Sequence, residues 1–135
     1  MKNRWADAAA PTLDDIAELA HAAFNALPPH LRALAGEVVF QIADFADDEV
    51  LEALGIDNPF ELSGLYQGVD LSRQSVMDPA RLPPMVFLYR RAILDEWMEL
   101  EDVTLGELVT HVLIHEIGHH FGLSDDAIAA IEAQT

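Results

Sequence analysis

Two histidines and a glutamate in the last quarter of the chain have the types and spacing of a metal site. His115, Glu116 and His119 form the pattern H-E-x-x-H within the segment HEIGHHFGLSD. If this segment is helical, the two histidines lie one turn apart on one face, so both imidazoles can bind one metal ion. Glu116 then projects beside the ion as a general base for water. These are the roles that zinc-dependent hydrolysis requires.

The third ligand is predicted to be Asp125. Gly122 follows His119 by three residues, and glycine is the usual residue where a helix ends with a positive φ. A turn at Gly122 would bring Asp125 back toward the metal. The result is a His₂-carboxylate site for one Zn²⁺ ion, with a fourth position open for water. Ser124 could instead cap a following helix, with the acidic residues favouring its N-terminus, and Asp126 is the alternative ligand.

Two further histidines are not expected to bind the same ion. In a helix, His111 and His119 are roughly 12 Å apart along the axis, whereas each Zn–N bond is only about 2 Å long. His120 is turned by about 100° from His119 around the helix. We therefore expect His111 to be solvated or to lie outside the ligand set, and His120 not to be a ligand.

Composition limits the class of protein. The chain has 135 residues, of which 51% are hydrophobic and none is cysteine, so we expect one domain over residues 1–135 without disulfides or thiol catalysis. The net charge of −17 disfavours nucleic acid and anionic membranes as partners. The charge is best explained by solubility, and the alternative interpretation is a preference for cationic peptide partners. The N-terminal residues lack the apolar core of a signal peptide, which agrees with a cytoplasmic location.

The elements that must position the metal site are predicted from periodicity and capping residues. The apolar spacing and a capping arrangement predict a helix over residues 12–27, and a capping box at Thr104 and Glu107 predicts a buried helix that runs to Gly122. A further helix begins near Asp125. Strands are predicted at residues 37–45, 64–71 and 85–91, and a short helix before Gly55. We expect an α+β fold, with a small mixed sheet packed against a buried active-site helix and flanking helices.

With these residues identified, the chain resembles the small bacterial zincin-like metallopeptidases, a family formerly classed as a domain of unknown function. The segment HEIGHHFGLSDDAI is similar to the family signature, and GLYQGVDL and MVFLYRR match its layout over roughly residues 36–133. The resemblance implies a compact α+β fold and a zinc site at His115, His119 and Asp125, with Glu116 as general base. The chain departs from the metzincins, because Asp125 stands where they have a third histidine and no methionine follows it.

The resulting hypothesis is a zinc peptidase that hydrolyses a peptide or protein substrate. An extended substrate could pair with an exposed sheet edge, for which residues 85–91 are a candidate. Four residues could stabilise the oxyanion and are not ranked: Tyr66, Tyr89, His111 and His120. One alternative is a metal-binding interaction or regulatory domain without turnover, although such a domain does not need Glu116. Another is a structural metal site, but structural sites are usually closed by four protein ligands and only three are evident.

Overall fold

The described part of the chain consists of short helices and a small sheet. The computed structural model describes residues 6–68 and 83–133, apart from the side chains of Asp125 and Glu132. In chain order these residues form α1 (Leu13–Asn25), α2 (Pro29–Leu34), β1 (Val39–Ala43), α3 (Asp48–Leu54), β2 (Gly64–Gln67), β3 (Met85–Tyr89), α4 (Arg90–Glu99), α5 (Leu105–His120) and α6 (Asp125–Glu132). The α+β architecture expected from the sequence is confirmed.

Local sequence determines where the longer helices begin and end. The Thr12 hydroxyl accepts a hydrogen bond from the Asp15 backbone N–H at 3.1 Å, and the Asp15 carboxylate accepts one from the Thr12 backbone N–H at 2.8 Å. This reciprocal capping box satisfies two N–H groups that have no partner within a helix. Thr104 likewise accepts from the Glu107 backbone N–H at 3.1 Å. At the end of α3, Gly55 takes the left-handed conformation with φ of 69°, as predicted.

The three strands form a mixed sheet in the order β1-β3-β2. Strand β1 is parallel to β3, and β2 is antiparallel to it. Residues 85–91 were a candidate for an exposed edge, and this candidate is wrong, because β3 lies between β1 and β2. Val86 and Leu88 of β3 are fully buried. A buried strand is most stable between two other strands, because its backbone N–H and C=O groups are then paired on both sides. Among the described residues, the edges are β1 and β2.

The two faces of the sheet carry separate clusters of apolar side chains. Side chains alternate along a strand, so Val86 and Leu88 pack with α1 and α5 in the main core. Phe87 and Tyr89 point to the other face and pack with Leu51 of α3 in a smaller cluster. Helix α5 is thereby covered by the sheet, by α1 and by α6, which explains why its sequence is apolar around most of its circumference.

Strand β2 lies unusually close to α5 at Gly64. A Cβ atom added at Gly64 would lie 2.8 Å from Val112 Cγ1 and 3.1 Å from Glu116 Cγ. Only glycine allows this approach without displacing side chains. Gly64 is thus the point at which β2 packs directly against α5. Strand β2 ends at Gln67, while residues 69–71 of the predicted strand lie outside the described residues.

Two other boundaries differ from the predicted ones. Strand β3 ends at Tyr89, and Arg90 is already the first residue of α4. The segment that follows, for which no element is predicted above, is helical to Glu99. Its Ala92 and Ile93 are fully buried, so tertiary packing favours a helix that the local pattern leaves undecided.

Candidate metal centre

Helix α5 brings His115, Glu116 and His119 together near its C-terminal end. One ligand atom from each of the three side chains can be chosen so that all lie within 4.8 Å of one another. The two imidazole centroids are 5.2 Å apart and the rings are nearly perpendicular, at 89°. The helical spacing predicted from the sequence therefore places two nitrogen donors and one carboxylate around a common point. His119 is exposed, whereas His115 and Glu116 are half-buried.

The end of α5 has the hydrogen bonds of a Schellman motif. The Gly122 N–H donates to the His119 carbonyl at 3.1 Å, and the Leu123 N–H donates to the Gly118 carbonyl at 3.0 Å. Gly122 has a φ of 71°, which a glycine adopts without the cost of a side chain. The predicted turn is therefore present. It places the negative end of the helix dipole beside the histidines, where it favours a bound cation.

The chain after this turn runs directly into α6. The Ser124 hydroxyl accepts a hydrogen bond from the Ala127 N–H at 3.2 Å, so Ser124 is the helix cap and Asp125 is the first helical residue. The side chain of Asp125 lies outside the described part of the structure, and its role as third ligand remains a prediction. Asp126, the alternative, is exposed.

Helix α6 is held close to α5 by a small residue. A Cβ atom at Gly118 would overlap the Ile128 side chain, and Ile128 is 2% exposed. The absence of a side chain at Gly118 thus lets α6 pack against the turn of α5 that carries His119. This packing limits how far the first turn of α6 can be from the histidines.

The Glu116 side chain is half-buried, and this burial affects its protonation. Burial raises the pKa of its carboxyl group above the ordinary value. Three nearby groups act in the opposite direction by favouring the charged form: the imidazoles of His115 and His119, and the backbone N–H of Tyr66, which donates a hydrogen bond to the carboxylate. A glutamate whose pKa is raised is better suited to accept and hold a proton near neutral pH.

A buried histidine next to the site is paired with a tyrosine of the edge strand. The Tyr66 hydroxyl is 2.8 Å from His120 Nδ1, and His120 is fully buried. The sequence predicted correctly that His120 points away from the ligand face, but it did not pair these two residues. They are 54 positions apart, and no local pattern links them.

The other candidates for oxyanion stabilisation lie in different surroundings. His111 is exposed, as expected, and lines a groove between α1 and the first half of α5. Tyr89 is 2% exposed and its ring is stacked on Phe87. Burial and the negative charges of Asp47 and Glu116 raise the pKa of Tyr89 to about 12, so its phenol stays protonated at neutral pH.

Comparison with protein families agrees with this geometry. The model of the zincin-like metallopeptidase family matches residues 35–135, which include the three strands and the whole of α5. The chain belongs to the zincin-like metallopeptidase family. The comparison with curated proteins returned no match.

The donor atoms of this zincin-like chain fit a divalent metal ion. Imidazole nitrogens suit zinc and neighbouring transition metals, and a carboxylate completes the kind of ligand set that hydrolytic zinc sites use. The two imidazoles converge without any rearrangement of the helix, and the Glu116 carboxylate lies beside them. Separately, no helix among the described residues has the length and apolar character needed to cross a bilayer.

Proposed function

We propose that the chain is a zinc-dependent peptidase in which His115, His119 and Asp125 hold the metal and Glu116 is the general base. The observation that carries this proposal is the convergence of the His115, Glu116 and His119 side chains within 4.8 Å, directly below the edge strand of the sheet. A pure metal-binding site does not need the glutamate at this position, whereas hydrolysis does.

Each residue of the site has a distinct task in this proposal. The two neutral imidazoles hold the ion through one nitrogen each, at the end of α5 where the helix dipole favours positive charge. When bound, zinc acts as a Lewis acid that lowers the pKa of a water molecule and polarises a peptide carbonyl. Glu116 accepts the proton of the attacking water and passes it to the leaving amine. The half-buried position of Glu116 helps to exclude other water from this transfer.

The substrate is proposed to be an extended peptide that pairs with β2. The Tyr89 N–H donates to the Ser63 carbonyl at 2.9 Å, and β2 pairs with β3 in register from Gly64 to Gln67. In an antiparallel pair the backbone groups of alternate residues face the partner strand. The N–H and C=O groups of Gly64 and Tyr66 therefore face away from β3. An added strand on this side of β2 would face these groups, as in the β-augmentation by which sheets bind peptides.

Cleavage of a synthetic library of random decapeptides, followed by mass spectrometry, tests the proposal. Wild type carrying about one zinc ion per chain should cleave part of the library, and Glu116→Gln should retain zinc but lose at least about 100-fold in rate. The glutamine keeps the size of the side chain and removes its basicity. Equal background rates in two zinc-loaded proteins would instead establish a metal-binding domain without turnover.

A further inference from the structure

The outer face of α4 combines apolar side chains with one charge of each sign. Arg91, Leu94, Asp95 and Met98 follow the spacing of a single helix face, opposite the buried Ala92. Met98 is 75% exposed, more than any other large hydrophobic side chain of the described residues. The outer face of a surface helix is ordinarily polar, so the apolar residues here indicate a surface that contacts another molecule.

A groove of about 670 Å³ lies beside this face, and its lining includes Pro11, Phe60 and Arg91. We call it the α4 groove. Arg90 Nε donates to the Pro11 carbonyl at 2.6 Å, so Pro11 lies at the N-terminal end of α4. Phe60 lies at the same end: its ring meets the Phe45 ring edge to face at 4.9 Å, and the Arg91 guanidinium is 5.6 Å from the centre of the Phe45 ring. The apolar part of the groove is therefore at the beginning of the helix.

The two charges of the outer face do not neutralise each other. Arg91 and Asp95 are one turn apart, yet within the described part of the chain neither forms an ion pair, and the ion pair of α4 is made by Arg90 with Asp44 at 2.9 Å. A partner with a carboxylate and a cation at the same spacing, in reverse order, would pair with both. A second copy of this face, related by a twofold axis, has that arrangement.

The charge distribution of the chain also favours this face for contact between copies. Two chains with a net charge of −17 repel each other. The described residues include three arginines and no lysine, and two of the three, Arg90 and Arg91, lie at the beginning of α4. Repulsion between two copies is therefore reduced where these arginines meet.

We propose that two copies of this chain associate through α4, with the two helices antiparallel about a twofold axis. Arg91 of each copy pairs with Asp95 of the other, because an isologous interface repeats every contact twice. Leu94 lies between these two residues on the same face, so the leucines of the two copies pack together near the axis. The surface is distinct from the candidate metal centre, and the proposal depends on neither metal binding nor turnover.

The antiparallel arrangement also gives the exposed methionine a binding position. It brings the C-terminal end of one α4 beside the N-terminal end of the other, so Met98 of each copy enters the apolar part of the other copy's α4 groove, next to Pro11 and Phe60. Methionine suits this position because its unbranched side chain adapts to irregular gaps and its sulfur packs favourably against aromatic rings.

Sedimentation equilibrium of the full chain provides the first test. The surface is small, so we expect a dissociation constant on the order of 10 µM and a measurement from about 1 to 500 µM. The average mass of wild type should rise from 14.9 kDa toward twice this value. A mass that stays at 14.9 kDa over the whole range would overturn the proposal in favour of a partner other than this chain.

Two charge reversals test the reciprocal pairing. Arg91→Glu places an acid opposite Asp95, and Asp95→Arg places a cation opposite Arg91, so each variant alone should dimerise at least about tenfold more weakly than wild type. In an equimolar mixture, the introduced glutamate faces the introduced arginine and the native Asp95 faces the native Arg91. The mixture should therefore regain the dimer. Circular dichroism checks that both variants are folded, and a mixture as weak as the single variants would show that wild type associates elsewhere.

Truncation of the methionine tests the apolar contact. Met98→Ala should weaken the dimer about tenfold, because a buried apolar side chain is lost from each half of the interface. The matched control is Leu34→Ala, which truncates another exposed apolar side chain, 52% exposed on α2, and should leave the dissociation constant unchanged. Equal weakening in the two variants would contradict the assignment of the interface to α4.

Discussion

The imidazole rings of His115 and His119 lie 5.2 Å apart at an angle of 89°. This arrangement directs nitrogen atoms from both rings toward one point without any change in the helix. Because the rings are close but not stacked, each can direct a lone pair toward a shared ion while its other nitrogen stays available for a second partner. This geometry predicts that His115 and His119 are the histidines that bind the metal ion.

Replacing His119 by alanine should abolish metal binding, whereas replacing His111 should not. Loss of a direct ligand should weaken zinc affinity by more than the roughly 10–100-fold that outer-shell changes cause. His111 is on the same helix but is exposed and lies beside α1, so His111→Ala is the matched control. Zinc content by mass spectrometry after dialysis measures the difference. Equal zinc in both variants would contradict the assignment of His119.

The third ligand can be identified by comparing two adjacent aspartates. Asp125→Ala should lose most of its bound zinc, while Asp126→Ala should retain it, since Asp125 is the first residue of α6 after the Gly122 turn. Both changes remove one negative charge at the same helix N-terminus, so their effects on α6 through its dipole should be similar. The opposite result would make Asp126 the ligand.

Two glycines of α5 should respond in opposite ways to the same substitution. Gly118→Ala places a Cβ atom into the Ile128 side chain and should destabilise the fold by about 1–3 kcal/mol through overpacking. At Gly106 the nearest atom to an added Cβ is Leu19 Cδ2, at 3.7 Å. Gly106→Ala should therefore stabilise the helix by up to about 1 kcal/mol. Urea unfolding measures both free energies, and destabilisation of equal size in the two variants would refute this account.

Tyr89 should make stability depend on pH in the alkaline range. Its pKa is raised from 10.0 to about 12 in the folded protein, so between these values the unfolded chain loses the proton first. Stability from this group is complete below pH 10 and falls as the pH rises toward 12. Tyr89→Phe should flatten this part of the curve. Denaturant unfolding at several alkaline pH values tests it, and an identical slope in the variant would disprove the assignment.

The acidic character of the chain should appear in its choice of peptides. Exposed Asp48 and Glu49 lie in the first turn of α3, and Glu49 lines a groove beside β2 together with Val50, Leu65 and Gln67. A peptide flanked by lysines should be cleaved about tenfold faster at low salt than the same peptide flanked by glutamates. The advantage should shrink as ionic strength rises, because salt screens exposed charges. A salt-independent ratio would point to contacts other than charge.

Sequence patterns predicted the parts of this protein that depend on neighbours a few residues away. The capping of α1 by Thr12, the left-handed turn at Gly122 and the spacing of His115 and His119 all depend on contacts within about one helical turn. Such contacts have the same geometry in any fold that contains the helix. The pattern therefore predicted the two histidines, the glutamate beside them and the end of the helix that carries all three.

The tertiary structure decided which strand lies beside the site. Residues 85–91 were a candidate edge, but β3 is the central strand with Val86 and Leu88 fully buried, and β2 lies at an edge of the described sheet. Strand order depends on how whole elements pack, and the sequence of one strand does not specify which strands lie next to it.

The contacts of Tyr66 were decided in the same way. The tyrosine meets His120 across 54 positions of sequence, and its approach to Glu116 depends on Gly64 two residues earlier, where a Cβ atom would contact Val112 and Glu116. Nothing in the local pattern distinguishes Tyr66 from any tyrosine in a half-buried strand. Its position follows from the packing of β2 on α5, which exists only in the folded chain. The local sequence by itself determined the helix that carries His115, Glu116 and His119, because capping and helical spacing act over a few residues. The tertiary structure determined that β2 and Tyr66 face this helix, because that depends on packing between distant segments.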